Sequence, residues 1–468
     1  MSDALNWLPA TKLVEGFAKG KFSPVDVAEA CLDQISRHDA QLNAMVGDHA
    51  EEALAAARAS EGRWQKGQPI GPVDGVPVLV KDLLLTRGWK TLRGSRTIDP
   101  DQAWSEDAPC VARLRESGAT LLGATTTPEF GWKGVTDSPL TGITRNPWDT
   151  SRTPGGSSGG SSAALAAGYA PLALGTDGGG SIRIPAGFAG IFGHKPSFGR
   201  VPAWPLSPFG TVAHVGPMTR TVEDAAIMMN VIAQPDPRDW HALPYDGADY
   251  VDKLGIAIKG VRIAFSPRLG YVEVDPEIAA LVRTAAEVLA ELGAEITEID
   301  PGFEDPAPCF RTLWWAGARS LLGRLPQDKK ALLDPALADV VEQSMSISLD
   351  DYQDAVKQRG LLGTYMRRFM VDYDALLTPT LPIAAFAAGV LAPNEPSQTG
   401  KWVNWTPFSY PFNLTQQPAC SVPCGFTRDG LPAGLQIVGR MFDDHTPIRL
   451  AHAYEQATEW HMKRPEDY

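Results

Sequence analysis

Serines flanked by glycines occur twice within residues 152–185. The first cluster is Gly155-Gly156-Ser157-Ser158-Gly159-Gly160-Ser161-Ser162, and the second is Thr176-Asp177-Gly178-Gly179-Gly180-Ser181-Ile182-Arg183. A flexible linker would be Gly/Ser-rich throughout. Here an Ala-rich segment (163–168) and an apolar one (171–174) intervene, so the glycines fall at the ends of regular elements, where backbone bends sharply or approaches a ligand. Serine in that setting is a nucleophile or a proton relay.

The first cluster contains Gly155-x-Ser157-x-Gly159, the spacing of the nucleophile elbow of α/β-hydrolases. That elbow needs a buried strand in front of it, and residues 146–154 are polar and broken by proline. The histidines it would need, His445, His452 and His461, read only as a helix surface. The second cluster has the better context, an apolar strand followed by a bend. Three successive glycines let their N–H groups point into one concavity, an oxyanion hole from Gly178, Gly179, Gly180 and Ser181. Alternatively, the same glycines make a tight βα turn and nothing more. No histidine lies nearby to activate Ser181. A lysine serves as base when burial depresses its pKa, and Lys81 ends the apolar run Gly75-Val76-Pro77-Val78-Leu79-Val80-Lys81-Asp82. Lys81 is then either a base at a strand end or a side chain leaving the core for solvent. Ser157 or Ser158 is placed to relay a proton between Lys81 and Ser181.

The elements around these residues alternate. Ser23-Pro24-Val25-Asp26 starts a helix running to about residue 37, with serine as cap and proline at its first position. A second helix covers 48–64, the apolar run at 75–82 is a strand, and helix 108–117 leads into strand 119–124. Residues 125–154 form a long turn-rich connection of the functional kind. Strand 171–174, a strand and turn at 191–197, helix 222–233, and the unit 261–265, 276–292, 294–299 continue the pattern. Residues 303–372 read as mostly helical, 374–377 as a strand, 386–415 as an irregular lid or pocket wall, 419–426 and 433–438 as closing strands, and 443–460 as a final helix. Such alternation is that of an α/β protein. No internal repeat is apparent.

Composition narrows the class. A chain of 468 residues with 44% hydrophobic and 21% charged residues is globular in character. Its net charge of −13 argues against a nucleic-acid partner. The apolar runs stay below the roughly 18 residues of a membrane span, and the N-terminus lacks a secretory pattern, so a cytoplasmic location is expected. Five scattered cysteines are not a disulfide framework, and Cys420 and Cys424 lack a second Cys/His pair, so neither metal nor cofactor is expected.

Several stretches together resemble the amidase signature family. They are Gly75-Val76-Pro77-Val78-Leu79-Val80-Lys81-Asp82, the loop 155–161, and Thr176-Asp177-Gly178-Gly179-Gly180-Ser181-Ile182-Arg183-Ile184-Pro185-Ala186. Asn146-Pro147-Trp148-Asp149, 193–200, 374–380 and 421–439 add to the likeness, which spans about residue 70 to the C-terminus and is weakest over 235–415. The resemblance implies a single large domain, α/β in class, with a central mixed, mostly parallel twisted sheet covered by helices on both faces. Its parts would be an N-terminal helical segment (1–69), a signature core (70–234), a variable, largely helical pocket region (235–415) and closing strands with a final helix (416–468).

The resemblance further implies hydrolysis of an amide bond through an acyl-serine. Ser181 would be the nucleophile, Ser157 the bridging serine after a cis peptide bond and Lys81 the neutral base. The four amides named above would form the oxyanion hole, with Ser158, Asp177 and Arg183 in support. Gly178 departs from the pattern, since family members usually carry a bulkier residue there. Trp314, Trp315, Trp402 and Trp405 lie in the variable region and are expected to line a pocket for small apolar or aryl amides or carbamates. A monomer or homodimer is expected. Two other readings stand beside this one: the glutamine-hydrolysing A subunit of a tRNA-dependent amidotransferase, and a catalytically silent binding protein on the same fold.

Overall fold

Buried apolar runs become the strands of one sheet. The computed structural model describes residues 5–245, 247–393 and 401–468. In chain order the strands are β1 (Met45–Val46), β2 (Pro77–Lys81), β3 (Thr120–Thr125), β4 (Asp137–Ser138), β5 (Gly142–Ile143), β6 (Leu172–Asp177), β7 (Phe192–Lys195), β8 (His214–Thr219), β9 (Arg262–Phe265), β10 (Glu295–Glu298), β11 (Ala375–Pro379), β12 (Ala419–Phe426) and β13 (Pro432–Gly439). β4 and β5 pair only with each other. The remaining eleven form one sheet in the order β1-β3-β2-β6-β8-β7-β12-β13-β11-β9-β10.

The sheet is mixed, and its parallel pairings fall in two α/β blocks. β3, β2 and β6 run parallel, as do β11, β9 and β10. Each block arises where a strand is followed by a crossover, such as helix Pro109–Glu116 between β2 and β3. Between the blocks the pairing is antiparallel, because β8 returns between β6 and β7 and because the tight hairpin β12–β13 is inserted between β7 and β11. Every residue of β2 is buried, as expected of a strand inside a sheet flanked by helices.

The capping signal at the first long helix has the geometry its sequence predicts. Helix Pro24–Leu42 starts at Ser23, whose hydroxyl accepts the Asp26 N–H while the Asp26 carboxylate accepts the Ser23 N–H. Helices Ala50–Gln65, Val222–Ile232 and Pro276–Glu291 fall where periodicity placed them. Unanticipated were helix Ala10–Ala18, strand β8 and the short helix Arg183–Ala189.

Two large apolar cores result, with a smaller third around Leu376, Phe408 and Phe412. One joins the sheet to its helices, from Leu13 and Val27 through Val78 and Leu174 to Ile437 and Leu450. The other is aromatic, built from Phe130, Trp132, Phe310, Trp314, Trp402 and Trp405 with helices of the 307–369 segment. The catalytic candidates lie between the two. All five cysteines are buried free thiols. Among the described residues no helix is long and apolar enough to cross a membrane.

Candidate active site

β2 and β6 are parallel neighbours in the register Val78↔Leu172 and Val80↔Leu174, so their C-terminal ends reach the same edge of the sheet. Ligand sites of α/β sheets form at that edge. Lys81 ends one strand, and Thr176-Asp177 ends the other. The Lys81 side chain is fully buried, which settles the alternative of a lysine reaching solvent. Its Nζ lies 2.7 Å from Ser157 Oγ, 2.9 Å from Ser158 Oγ and 2.9 Å from Thr176 Oγ1.

Burial pushes the Lys81 amine well below the ordinary lysine range, opposed only by the negative charge of Asp177. The N-terminus of helix Gly159–Ala166, entered through Ser157 and Ser158, acts in the same direction as the burial. A neutral amine donates two protons and accepts one. Ser158 Oγ donates to the Thr176 carbonyl at 3.2 Å, so toward Lys81 it accepts. The lone pair of the amine is then left for the proton of Ser157 or Thr176.

The Gly156–Ser157 peptide bond is cis. Gly156 packs on the backbone of Val135, where a Cβ would come within 2.6 Å, and Gly131 lies over the Ser157 hydroxyl. No strand runs into Ser157; the preceding segment is coil with isolated bridges from Asn146 to Asp149 and from Arg152 to Ala387. The nucleophile-elbow reading of Ser157 therefore lacks its structural support.

Ser181 is tied to this loop by its carbonyl, which accepts the Ser158 N–H at 3.1 Å. Both Ser157 and Ser181 line the same cavity. The 178–183 loop takes its shape from Asp177. Its Oδ1 accepts from Gly180 N–H at 2.7 Å, and its Oδ2 accepts from Ile182 N–H at 3.2 Å and from Arg183 N–H. The Gly180 amide is therefore turned to Asp177 and drops out of the expected oxyanion set. Among the described residues the amides of Gly178, Gly179 and Ser181 donate to no protein acceptor, leaving three donors for an incoming oxyanion. Gly180 has φ +124° and packs on Ser409, which excludes a side chain there.

Arg183 is fully buried and uses all five of its donors. Nε and one terminal nitrogen hold Asp177 at 2.9 and 3.0 Å, and the remaining protons go to Asn413 Oδ1 (2.7 Å), Gln436 Oε1 (2.7 Å) and the Ser409 carbonyl (3.1 Å). Burial by itself would raise the Asp177 carboxyl, but the charges of Arg183 and Lys195 and the Asn413 amide hold it well below the usual carboxylate range. Asn413 also donates to Asp177 Oδ1 and to the Asp177 carbonyl, at 2.8 and 3.0 Å. Ser409 Oγ donates to the Gly179 carbonyl at 2.7 Å. Thr176, Ser409, Asn413 and Gln436 were not singled out from the sequence, although Thr176 sits inside the second serine cluster.

His214 is a further addition. Its Nδ1 lies 2.8 and 3.1 Å from the carbonyls of Val212 and Asp177, so that nitrogen carries the proton. Nε2 is left as an acceptor beside the cavity, which His214 helps to line. Burial keeps the ring neutral, pushing its pKa well below the usual histidine value.

The cavity in front of Ser181 has a volume of about 250 Å³, room for a small molecule. Leu83, Phe130, Trp204, Pro208, Phe209 and Trp314 make much of its wall. Of the four tryptophans expected there, only Trp314 is a wall residue. Its indole stacks on Phe209 at 3.8 Å and donates to the Trp132 carbonyl at 3.0 Å. Trp402 stands behind it, edge-on at 5.8 Å, and Trp405 stacks on Phe188 within the aromatic core. Trp315, on the next position of the same helix, is turned away from the cavity by the 100° helical step. Trp204, before the variable region, and Trp240, at its start, take those places. Trp314 also accounts for the missing side chain at Gly178, since a Cβ there would sit 2.7 Å from its ring. Of the expected lid, 394–400 lie outside the described residues. Thr406 to Asn413 are buried and pack behind the glycine loop.

Comparison with known proteins gives a consistent set of relatives. A family model described as Amidase matches residues 26–447. The chain is 37% identical to an acylamidase of Rhodococcus erythropolis over 99% of its own length and 98% of that protein. It is also 37% identical to the A subunit of the glutamyl-tRNA(Gln) amidotransferase of Chloroflexus aggregans, over 99% of both chains. Among solved structures, a bacterial aryl acylamidase belonging to the amidase signature enzymes superposes with a TM-score of 0.90 at 32% identity, covering 97% of this chain and 98% of that one.

Proposed function

Because the chain belongs to the amidase signature family, whose members hydrolyse amide C–N bonds, we propose that it cleaves small amides bearing aryl or other apolar groups through an acyl-Ser181 intermediate. Carbamates of the same shape fall in the same class. The observation that carries this reading is the buried Lys81 amine held against Ser157, Ser158 and Thr176 on the cavity that Ser181 lines.

The chemistry follows from that arrangement. Ser181 Oγ attacks the carbonyl carbon while its proton passes to Ser157, whose own proton passes to Lys81. The oxygen of the tetrahedral intermediate gathers negative charge facing the free amides of Gly178, Gly179 and Ser181. As the C–N bond breaks, protonated Lys81 returns a proton through Ser157 to the leaving amine. Water then attacks the ester, giving up its proton along the same relay. Carboxylic acid and free Ser181 result. Every proton and bond in this sequence is accounted for by the chain, the substrate and water. Ser158, Asp177 and Arg183 act as positioning residues: Ser158 fixes the amine, and the other two fix the loop that bears the nucleophile.

A second reading, glutaminase chemistry of the kind an amidotransferase would use, draws on the identity to the Chloroflexus protein. The cavity wall weighs against it. Free glutamine presents an ammonium and a carboxylate together, and the lining carboxylate, Asp239, already accepts the N–H groups of Ala203 and His241 at 2.9 Å each. We therefore favour a free-standing monomer or homodimer. Five unpaired buried thiols fit a reducing, cytoplasmic compartment.

A fluorophosphonate probe and a panel of aryl, fatty, peptide and carbamate substrates test the proposal. Wild-type protein should be labelled at Ser181 and turn over an aryl amide, whereas Ser181→Ala and Lys81→Ala should each lose at least about a thousandfold in kcat/KM. Near-wild-type turnover in either variant would sink the triad. Glutamine hydrolysis exceeding anilide hydrolysis would move the assignment to the second reading.

A further inference from the structure

The cavity in front of Ser181 continues into a second one, and Arg93, Phe130, Trp204 and Leu321 line both. Arg93 is the cation at this junction. Its backbone is fixed in the left-handed region at φ +56°, followed by Gly94 at φ +63°. Two contacts hold that turn: Gly94 N–H donates to Asp82 Oδ2 at 3.0 Å, and Phe130 N–H donates to the Arg93 carbonyl at 2.8 Å. Asp82 directly follows Lys81, so the strand end that presents the amine also sets the position of Arg93.

Among the described residues the Arg93 guanidinium makes neither a hydrogen bond nor an ion pair with protein. Of the nearby carboxylates, Asp82 accepts the Gly94 amide on Oδ2 and acts on Arg93 through its charge alone, with no hydrogen bond between the two side chains, and Glu106, on the wall of the second cavity, pairs with Arg238 at 3.9 Å. A half-buried guanidinium facing an otherwise largely apolar cavity, with its donors unused, is complementary to a planar anion that accepts two parallel hydrogen bonds.

We propose that Arg93 binds a carboxylate carried by the substrate, so that the preferred amides are apolar molecules with an acidic group remote from the scissile bond. This rests on the amide-hydrolase reading above and specifies its substrate class. The carboxylate belongs either to the acyl half or to the amine half, and two probe pairs separate the cases. Succinanilate against 4-methylpentananilide places the charge on the acyl side; 4-acetamidobenzoate against 4-nitroacetanilide places it on the amine side.

Calorimetric binding to Ser181→Ala protein reads the preference without turnover. For at least one pair the carboxylate should bind roughly tenfold or more tightly than its neutral isostere. Arg93→Met in the same background should bring that ratio to about one, and Arg93→Lys should keep part of it, which separates loss of charge from loss of fold. Ratios that Arg93→Met leaves unchanged in both pairs, or the absence of any carboxylate preference, overturn the proposal. Turnover of 4-nitroacetanilide by Ser181-intact protein tests the hydrolase reading separately, so an Arg93-dependent ratio without turnover would remove that reading and leave the carboxylate site standing.

Discussion

At the scale of single residues, the proposed mechanism turns on the protonation state of one amine. Protonated Lys81 cannot accept the relay proton, so kcat/KM should rise with pH and level off above the pKa of Lys81. Because burial lowers that pKa, the inflection should lie below the roughly 10.4 of an ordinary lysine. A profile without an alkaline-side rise would argue for another base. Thr176→Val gives a finer test. The ammonium form has three protons and three oxygen neighbours, and removing Thr176 Oγ1 leaves one proton without an acceptor. The charged form suffers most, so the inflection should move to lower pH while kcat falls by about an order of magnitude. A shift to higher pH would contradict the hydroxyl accounting. Lys81, Ser157 and Ser181 stand out in the sequence because each lies in a short run whose neighbours suggest a role, a strand end or a glycine bend, whereas Asp177 and Arg183 are marked only by the family resemblance. Asn413 and Gln436 were legible in neither way. Each is an ordinary amide more than 220 residues from the arginine it holds, and nothing local marks it.

At the scale of elements, the 178–183 loop is held from both sides, by Asp177 at the strand end before it and by the 409–413 segment behind it. Asn413 makes four contacts there, donating to the Asp177 carbonyl, Asp177 Oδ1 and the Val212 carbonyl and accepting from Arg183. Asn413→Ala leaves a buried guanidinium proton unpaired. It should cost about 1–3 kcal/mol in denaturant unfolding and lower kcat more than it raises KM; a loss confined to KM would separate this contact from the loop. The strand that escaped the sequence reading belongs to this scale as well. β8, His214-Val215-Gly216-Pro217-Met218-Thr219, carries glycine and proline at its centre, residues that argue against a central strand. It forms anyway, because β6 pairs with it along six positions and Gly216 lets the His194 carbonyl approach closely. Tertiary pairing outweighed local preference. The aromatic wall was misread for a related reason: indoles at 402 and 405 pack inward behind the loop, while Trp204 and Trp240 come from a stretch without periodicity.

For the whole molecule, buried acids set how stability follows pH. Glu455, on helix His445–Gln456, accepts the Val222 N–H at 2.9 Å and so joins the last helix to helix Val222–Ile232. Burial pushes its carboxyl up to about 8. The folded protein therefore holds a proton that the unfolded chain releases above about pH 4.3, so the Glu455 contribution is full below that value and is lost as pH rises toward 8. Glu455→Gln should flatten the decline of Tm over that interval relative to wild type; parallel Tm curves would show that Glu455 titrates alike in both states. Asp444 works in the opposite sense. The His194 and Arg200 side chains and the Ser197 amide overcome its burial and hold it at about 2, so its contribution is present above about pH 4 and disappears as pH falls toward 2.

The five contacts of Arg183 also say something about time. Lys81, Ser157 and Ser181 leave the ribosome well before Ser409, Asn413 and Gln436, and at the roughly 5–20 residues per second of synthesis the interval is tens of seconds. Throughout it the nascent chain carries a complete set of reactive side chains, while the loop that would aim them lacks its far anchors. Hydrolysis is then among the last properties the chain acquires, switched on by a short helix and a strand that contribute no reactive group of their own.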